Sequence, residues 1–569
     1  MSAHRAVLDA ALSRAEHHGR PGLPIGGFVL GRRDGSPRRG IHRLDGTPVI
    51  EPDGHLQRIH PSPDGRLIAV EWAPSADENA VLGIVDASSG TMHPHPGIRL
   101  RYDTVLWTPD SRSLDVVASR DDALVSLDVE TGAVQSTALA PGTRVRLFPG
   151  GTRGLLARSL AGGTRLSDRA TETTLGRWPA LRRAWPLADA VLVHHDGGLD
   201  AVGLDGTALW RWSDPLVQVI DATVHGDRVV VLAVAQGCSV LIDLHDGVEV
   251  GRTEAASSAA DALTVTEIGV DDGVLRLSVE GPLTPPRIVE RMPQGGTSLP
   301  AVAALPGTTT RYDLPADDGG TLSVHVTVPS GAEGPLPLLL TCYGGFGIPH
   351  LPVYEPTVSA WIAHGGAYAT AQLRGGGEHG AAWRDAGHGA RKTRTVADLA
   401  DVARGLIRSG VTRPDLLVLV GASLGGVVAA SCALRHPDLC KGFATTAAPL
   451  DLLALDEHPL GSRWRAEFGD DGAAEARERL RALSPLARAE ALQIGATVPA
   501  YLGIVLGQDT RVLARDTHRM TAALRRAGGS ARTWTAADAG HGANEQTVLH
   551  ELGLAVLEFA ADVTTGDSR

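Results

Sequence analysis

A turn followed by an apolar, β-branched run recurs through the first half of this 569-residue chain. Clear copies are PDG before LIAVEW (67–72), PDS before LDVVAS (114–119) and PGG before GLLARS (154–159), and weaker copies continue to LRLSVE (275–280). The copies lie roughly 37–46 residues apart, which is the period of four-stranded propeller blades. Six copies are visible and residues 26–52 can supply a seventh. We therefore predict an all-β propeller with seven blades; a pair of β-sandwiches is the alternative, but its strands would not repeat at this period.

From about residue 306 the pattern changes to buried strands that alternate with helices. This alternation predicts a mostly parallel sheet with helices on both faces. We divide the chain into an N-terminal helix and linker (1–30), a propeller (31–305) and an α/β domain (306–569). The helix predicted over residues 395–409 should place Asp398, Asp401 and Arg404 on its solvent side.

Composition limits the classes of partner. The formal net charge is −12 and no Lys/Arg-rich block occurs, which argues against nucleic acid or an anionic membrane. No apolar run could span a bilayer, and the N-terminus lacks the features of a signal peptide. The cysteines Cys238, Cys342, Cys432 and Cys440 show no metal-type spacing. We expect a cytoplasmic protein, a monomer or weak homo-oligomer, that needs no metal or cofactor.

The stretch LLVLVGASLGG (416–426) joins an apolar strand to a helix of small residues through a G-x-S-x-G turn. This setting is typical of a nucleophile elbow, in which glycines let the turn close and leave the Ser423 hydroxyl exposed. The helix that begins there directs free backbone N–H groups at the same point. An ordinary strand ending in a Gly-rich turn has the same pattern, so the remaining partners decide the interpretation.

A nucleophilic serine needs a base, and the base needs an acid that orients it. Asp509 follows the strand YLGIVLG, and His541 lies between two glycines after the strand ARTWTA. Each residue alone is as consistent with a turn aspartate or a surface-loop histidine. Their order, Ser then acid then His, favours a triad. Asp516 and Asp538 are competing acids, although Asp538 is too near His541 in sequence to be preferred.

The oxyanion of an acyl-transfer reaction needs two hydrogen-bond donors. The backbone N–H of Leu424, the residue after the serine, is the first candidate. The second is the phenol of Tyr343, in the Gly-rich loop that follows an earlier strand. Tyr343 could equally be a packing residue before a tight turn.

Six stretches of the α/β domain resemble the prolyl oligopeptidase family of serine peptidases. They span about 200 residues at family-like spacing. The stretches are YGGFG (343–347), LRGGGEHG (373–380), GASLGG (421–426), WRAEFG (464–469), QDTRV (508–512) and AGHGA (539–543). The resemblance implies an α/β-hydrolase fold after a propeller. It also implies that Ser423 is the nucleophile, Asp509 the acid, His541 the base, and Tyr343 the oxyanion donor beside the Leu424 amide.

The resemblance also implies a pocket for a substrate proline. Arg511 falls where the family binds a substrate carbonyl, and Trp464 where an indole stacks on the proline ring; Phe346, Phe468 and Val512 fall on the pocket walls. Such stacking is worth about 1 kcal/mol beyond burial. For Trp464 the alternative is an ordinary core aromatic in a helical lid.

Two positions depart from the family pattern. Leu424 stands where the family usually has Asn, and Phe468 stands where Tyr is common. The propeller is also short, so a size filter could differ. Because only the Leu424 amide is needed for the oxyanion, the first departure should not abolish catalysis.

We therefore predict a serine oligopeptidase that hydrolyses short peptides after proline through an acyl-enzyme. Alternatives with the same triad are a peptide macrocyclase, a natural-product processing protease and an esterase. A propeller scaffold with an inactive hydrolase is the non-enzymatic alternative.

Overall fold

The computed structural model describes residues 4–76, 78–101, 105–118, 122–140, 144–150, 154–254, 261–291, 305–542 and 544–565. Residues 1–3 of the predicted N-terminal segment and residues 292–304 at the end of the predicted propeller lie outside these ranges. So do Ser119 and Gly151 of two repeat copies, and Ala543 of the AGHGA stretch.

Seven antiparallel sheets follow one another along the first half of the chain and form a seven-bladed propeller, which confirms the predicted fold class. The first sheet begins at Pro24, seven residues before the predicted start of the domain. Blades 1 to 6 have four strands each, and blade 7 has three among the residues described. The strands are, by blade, Pro24–Ile25, Phe28–Gly31, Gly40–Arg43 and Pro48–Ile50; His55–Pro61, Leu67–Ala73, Ala80–Asp86 and Met92–Leu100; Val105–Trp107, Ser113–Ala118, Ala123–Asp128 and Val134–Ala138; Val145–Phe148, Leu155–Leu160, Gly163–Asp168 and Thr174–Trp178; Leu181–Pro186, Ala190–His195, Gly198–Gly203 and Ala208–Trp212; Val217–His225, Arg228–Ala235, Cys238–His245 and Val248–Glu254; Thr264–Asp271, Val274–Gly281 and Thr284–Arg291.

The repeated turn residues have a local structural role. In blade 3, Asp128 Oδ1 accepts hydrogen bonds from the backbone N–H groups of Glu130 and Thr131, and Gly132 has a φ of 72°. An aspartate that bonds to its own turn and a glycine with positive φ together reverse the chain between two strands. Blades 1 and 7 meet where the Gly26 N–H donates to Asp271 Oδ1 at 2.7 Å.

The second half forms one eight-stranded sheet. Its strands are β1 (Thr308–Pro315), β2 (Thr321–Val328), β3 (Leu338–Thr341), β4 (Ala367–Ala371), β5 (Leu417–Ala422), β6 (Gly442–Thr446), β7 (Ala500–Leu506) and β8 (Ala531–Ala536). The spatial order is β1-β2-β4-β3-β5-β6-β7-β8, with β1 and β2 antiparallel to their neighbours and the rest parallel. Parallel strands direct their carboxyl ends to one edge, where sites of such sheets are found.

Helices cover both faces of this sheet. They are α1 (Arg5–Glu16), α2 (Pro356–Ala363), α3 (Gly380–Ala386), α4 (Lys392–Arg408), α5 (Leu424–Arg435), α6 (Gly461–Phe468), α7 (Ala474–Leu483), α8 (Pro485–Glu490), α9 (Arg515–Arg526) and α10 (Gln546–Thr565); short 3₁₀ turns span Gly389–Arg391, Pro414–Leu416 and Leu455–Glu457. Leu338 and Leu340 of β3 pack on the face with α4, α5 and α9, while Leu339 packs on the face with α1, α2 and α10. Alternating side chains of one strand therefore enter two separate cores. Among the residues described, no helix is both long enough and apolar enough to cross a bilayer.

The predicted solvent side of α4 is wrong for its two aspartates. Asp398 is 0% exposed and Asp401 is 6% exposed. Arg374 and Arg394 form ion pairs with Asp398 at 2.6 and 2.8 Å, and Arg394 also pairs with Asp401. Arg394 lies on the first turn of α4, before the predicted start of the helix at residue 395, and Arg374 comes from a separate loop, so the pattern of residues 395–409 could not show that the aspartates are buried. Arg404 is half-exposed, at 40% of its side chain.

The N-terminal helix α1 packs on the α/β domain although the propeller follows it in sequence. Leu8 and Leu12 lie in the same core as Trp361 and Leu554. The chain then passes to blade 1 beside Arg20, whose guanidinium donates to the backbone O of Tyr354 at 2.7 Å. The α/β domain is therefore joined to the propeller at both ends of the propeller sequence.

Candidate active site

Ser423 stands between β5 and α5 with a φ of 51° and a ψ of −124°. A non-glycine residue in this region is strained and is held there by its surroundings. A Cβ at Gly421 would lie 2.1 Å from the Gly425 O, and one at Gly425 would lie 2.3 Å from the Cys342 O. The two glycines of the turn are therefore required by close backbone contacts, and the Ser423 N–H anchors the turn to the Thr446 O at 2.9 Å.

A histidine and an aspartate meet at the same edge of the sheet. His541 Nδ1 lies 2.7 Å from Asp509 Oδ2. The other oxygen, Asp509 Oδ1, accepts the backbone N–H groups of Arg511 and Val512 at 2.7 and 2.9 Å. A carboxylate can only accept, so Nδ1 of His541 carries the proton and Nε2 is left as the basic nitrogen.

The loop that carries His541 is closed on itself by Asn544. Asn544 Oδ1 accepts the Gly540 N–H at 2.8 Å, and Asn544 Nδ2 donates to the backbone O atoms of Gly540 and Gly542. This loop also touches the propeller, because a Cβ at Gly540 would lie 1.5 Å from the Ala76 O. Sequence reasoning did not identify Asn544.

The two oxyanion candidates are the backbone of Leu424 and the phenol of Tyr343. Leu424 is the first residue of α5, and the first N–H groups of a helix have no carbonyl partner within it. Its side chain is 2% exposed and lies against Gly345, where a Cβ would be 2.8 Å from the leucine methyl groups. Burial, and the nearby Glu467 carboxylate, raise the pKa of Tyr343 to about 12, so the phenol remains a hydrogen-bond donor at neutral pH.

A cavity of about 1230 Å³ lies between the propeller and the α/β domain. Ser423, His541, Tyr343 and Arg511 all line it, together with residues of blades 1, 2 and 7 and the segment after α1. The structure thus brings four of the predicted site residues to one cavity, while Asp509 contacts His541 from outside the cavity lining and the Leu424 side chain is buried.

The predicted proline pocket is only partly assembled around this cavity. Phe346, Trp464, Phe468 and Val512 are not among its lining residues. Phe468 and Val512 are 3% and 6% exposed, whereas Phe346 is 38% exposed and has a φ of 56°. Trp464 lies partly buried on α6, with its ring 5.7 Å from that of His458.

Arg511 has a partner from the propeller that the sequence did not reveal. Glu78, in the loop between the second and third strands of blade 2, is 2% exposed. Its carboxylate accepts two hydrogen bonds from Arg511, at 2.5 and 3.0 Å, and one from Arg101 at 2.6 Å. Because 433 residues separate Glu78 from Arg511, no local signal could have connected them.

Among the residues that the structure describes, the cysteines and acidic groups do not form a metal centre. All four cysteines are free, and three of them are buried. Across the described part of the chain, no group of three or more His, Cys, Asp or Glu side chains is arranged to hold a metal ion.

Comparison with known proteins follows the same division of the chain. The model of the prolyl oligopeptidase family matches residues 353–567. The α/β-hydrolase domain is a member of the prolyl oligopeptidase family. A prolyl endopeptidase of Elizabethkingia miricola is 30% identical over 210 residues, which are 36% of this chain and 29% of that protein. The dual function macrocyclase-peptidase POPB of Amanita bisporigera is 26% identical over 254 residues, covering 38% of this chain and 34% of that protein.

Solved structures match over nearly the whole chain. A prolyl endopeptidase structure superposes with a TM-score of 0.86 at 20% identity, covering 99% of this chain and 92% of the other. Oligopeptidase B from Leishmania major superposes with a TM-score of 0.82 at 17% identity, covering 100% and 90%. At these identities the likeness concerns the fold. The sequence matches to the curated relatives named above span about a third of their length or less.

Proposed function

We propose that this chain is a serine oligopeptidase that cleaves short peptides after proline. One observation carries the proposal: the His541–Asp509 hydrogen bond lies at a cavity that Ser423 and Tyr343 also line. The propeller covers this cavity, so a substrate must be small or extended enough to enter between the domains. The membership of the α/β-hydrolase domain in the prolyl oligopeptidase family supports the same reading.

The proposed reaction is acyl transfer through Ser423. The Ser423 Oγ attacks the peptide carbonyl carbon while His541 Nε2 takes the hydroxyl proton. The Tyr343 O–H and the Leu424 N–H donate to the developing oxyanion. His541 then returns the proton to the leaving amine as the C–N bond breaks, and water hydrolyses the acyl-enzyme in a second round of the same steps. Asp509 holds the imidazole in the required tautomer.

The proline preference rests on Trp464, Phe346, Phe468 and Val512 as the proposed pocket and on Arg511 as the proposed partner of a substrate carbonyl. An indole and two phenyl rings favour a flat, apolar P1 ring over a charged side chain. Phe468 has no phenolic hydroxyl, so it brings no polar group into this proposed pocket. We expect proline, and to a lesser degree alanine, at P1.

A pair of chromogenic amides tests the proposal. We expect turnover of a blocked Gly-Pro amide at least tenfold above the matched Gly-Ala amide. The variant Ser423→Ala should abolish turnover, while the control Ser409→Ala, at an exposed serine, should leave it unchanged. Turnover that survives Ser423→Ala would overturn the proposed nucleophile, and equal rates on both amides would overturn the proline preference.

Peptide cyclisation is the second candidate function. A relative of the matched domain is named a dual function macrocyclase-peptidase, and a cavity between the two domains restricts the access of water to an acyl-enzyme compared with a site on an open surface. A peptide of roughly 20–30 residues with an internal proline should then yield a product 18 Da lighter than the hydrolysed fragment. Mass spectrometry of the products separates cyclisation, hydrolysis and, with an ester substrate, esterase activity.

We also propose a cytoplasmic location, a monomeric or weakly oligomeric state, and the domain bounds 1–30, 31–305 and 306–569. The four free cysteines are compatible with a reducing compartment. Cell fractionation, sedimentation velocity and limited proteolysis test these three statements in turn.

A further inference from the structure

A lysine is buried directly beneath the loop that carries Tyr343. Lys392 is the first residue of α4, and its side chain is 2% exposed. Its Nζ donates to Glu467 Oε1 at 2.5 Å and to the backbone O of Gly344 at 3.0 Å. Glu467 is 3% exposed and lies on α6. A lysine is almost never buried to this degree without a specific partner.

The pair occupies a space that glycines leave open. A Cβ at Gly375 would lie 3.0 Å from Lys392 Nζ and 2.4 Å from the Gly344 O. A Cβ at Gly345 would lie 3.0 Å from Glu467 Oε1. The two charges therefore sit at the junction of the 343–347 loop, the 373–377 loop, α4 and α6.

This junction connects the two halves of the proposed site. On one side, Gly344 directly follows Tyr343, the proposed oxyanion donor, and Gly345 packs on Leu424. On the other side, Glu467 lies between Trp464 and Phe468 on α6. A displacement of the ion pair would move two parts of the site relative to Ser423. They are the 343–347 loop and, on α6, the Trp464 and Phe468 side chains that are proposed to bind the substrate proline at P1.

Stability alone is a poor explanation for such a pair. Removing two charges from water costs several kcal/mol per ion, and apolar replacements of a buried pair are often as stable. Burial lowers the pKa of Lys392, against the opposing effect of the Glu467 carboxylate. Two further ionisable groups lie near this carboxylate: His388 Nε2 is 3.8 Å from Glu467 Oε2, and Tyr343 is close enough that the carboxylate adds to the effect of burial in raising its pKa.

We propose that Lys392 and Glu467 are positioning residues. They hold the 343–347 loop, which carries Tyr343, and helix α6, which carries Trp464, in fixed positions relative to Ser423. This proposal rests on the proposed function of the site. Neither side chain touches the reacting atoms. Lys392 acts through the Gly344 carbonyl on Tyr343, and Glu467 acts through α6 on the P1 wall.

The decisive variant is the neutral pair Lys392→Met with Glu467→Gln. It leaves no uncompensated buried charge, so it should fold where either single variant could fail. Val402→Ala, at a buried position of the same helix α4, is the control for general destabilisation. All rates are expressed per active site, titrated with a fluorophosphonate that phosphonylates Ser423 with loss of fluoride.

In the Lys392→Met/Glu467→Gln variant we expect the second-order rate constant of phosphonylation to be about tenfold lower than in the parent. One oxyanion donor supplies a rate enhancement of about a hundredfold or more, and a displaced donor loses part of it. In a Tyr343→Phe background the same double substitution should change the rate less than about twofold, because Lys392 acts through Tyr343. Val402→Ala should lower the melting temperature but not the rate per titrated site. The ratio of kcat/KM for Pro over Ala amides should also fall.

An unchanged phosphonylation rate in the folded neutral pair would overturn the proposal. So would a tenfold loss that persists in the Tyr343→Phe background, which would point to a route other than the oxyanion donor. Phosphonylation needs no peptide, so this test still decides the role of the pair if the chain proves not to cleave after proline. Failure of the parent protein to react at all would instead count against the proposed function.

Discussion

At the scale of single residues, close backbone contacts around the elbow exclude side chains at two of its positions. Ser423 holds a φ of 51°, and its neighbours Gly421 and Gly425 leave no room for a Cβ. Leu424 is the position at which this turn departs from the family pattern. Its N–H is the proposed oxyanion donor, while its side chain belongs to the main core of the α/β domain.

Leu424→Asn tests this division between backbone and side chain. We expect the phosphonylation rate per titrated site to remain within about threefold of the parent, because the oxyanion donor is a backbone N–H. Thermal stability should fall, by roughly 1–3 kcal/mol, because a buried amide replaces a packed leucine. Stopped-flow phosphonylation and thermal denaturation measure the two effects. A hundredfold loss of rate with a retained fold would contradict the assignment.

At the scale of secondary-structure elements, α1 is an added helix that the α/β domain holds by charge as well as by packing. His550 on α10 places Nδ1 2.7 Å from Glu16 and Nε2 2.8 Å from Asp9, and both carboxylates belong to α1. Ionised carboxylates can only accept hydrogen bonds, so two carboxylates around one ring favour the doubly protonated form of His550. Arg5 adds ion pairs to Glu551 and Glu558.

This arrangement predicts that the attachment of α1 weakens as the pH rises. Burial opposes the protonated form, but the hydrogen bonds and charges of Glu16 and Asp9 prevail, and the pKa of His550 is raised above its ordinary value of 6.5. The stabilising effect is therefore complete below about pH 6.5 and is lost as the pH rises through the raised folded-state pKa. Hydrogen exchange of residues 5–16 should accelerate over that range.

His550→Gln should remove most of this pH dependence. The neutral side chain keeps one donor but cannot become a cation, so the exchange rate of α1 should be high and nearly constant. His436, at the C-terminus of α5, supplies a control substitution at a histidine distant from α1. A parent protein whose α1 exchange does not vary with pH, after correction for intrinsic exchange, would contradict the role of His550.

At the scale of the whole molecule, the propeller contributes directly to the chemistry of the cavity. Glu78 binds both Arg101 of its own blade and Arg511 of the α/β domain. The Gln508 Oε1 atom accepts the Ala76 N–H at 2.9 Å in the same place. Ala76 and Glu78 therefore connect blade 2 to Gln508 and Arg511, on either side of Asp509 in the sequence.

Glu78→Gln should weaken this connection. Removal of one partner of a buried pair costs roughly 3–5 kcal/mol, and part of that cost should appear as a kcat/KM lower by about 10- to 100-fold for a proline amide. Asp64→Asn, which removes the exposed pair with Arg66 in the same blade, is the matched control and should have no effect. Steady-state kinetics and small-angle scattering would report activity and domain opening. Kinetics identical to the parent would show that Arg511 does not depend on Glu78.

The local sequence pattern was sufficient to predict the propeller and the alternating strands and helices. It was also sufficient to propose the candidate triad from the order of its residues in the chain. A turn that repeats at blade spacing predicts the propeller because each blade is built from consecutive strands. Gly421 and Gly425 mark the elbow because steric exclusion acts between near neighbours in the chain. The assignments of Ser423, Asp509 and His541 stay predictions until activity is measured, although their strands and loops bring them to one edge of the sheet.

Tertiary structure decided everything that depends on contacts between distant segments. Asp398 looks like a surface residue of α4, yet Arg374, from a separate loop, forms an ion pair with it in the interior. The helix prediction began at residue 395, so Lys392 was missed, and no periodicity relates it to Glu467. The contact of Glu78 with Arg511 could not be predicted for the same reason, because no sequence periodicity relates the two residues. The sequence alone determined which local structures form and in what order, since those follow from short-range sterics and hydrophobic period. Which charges are buried against one another depends on three-dimensional packing, and only the folded molecule reveals it.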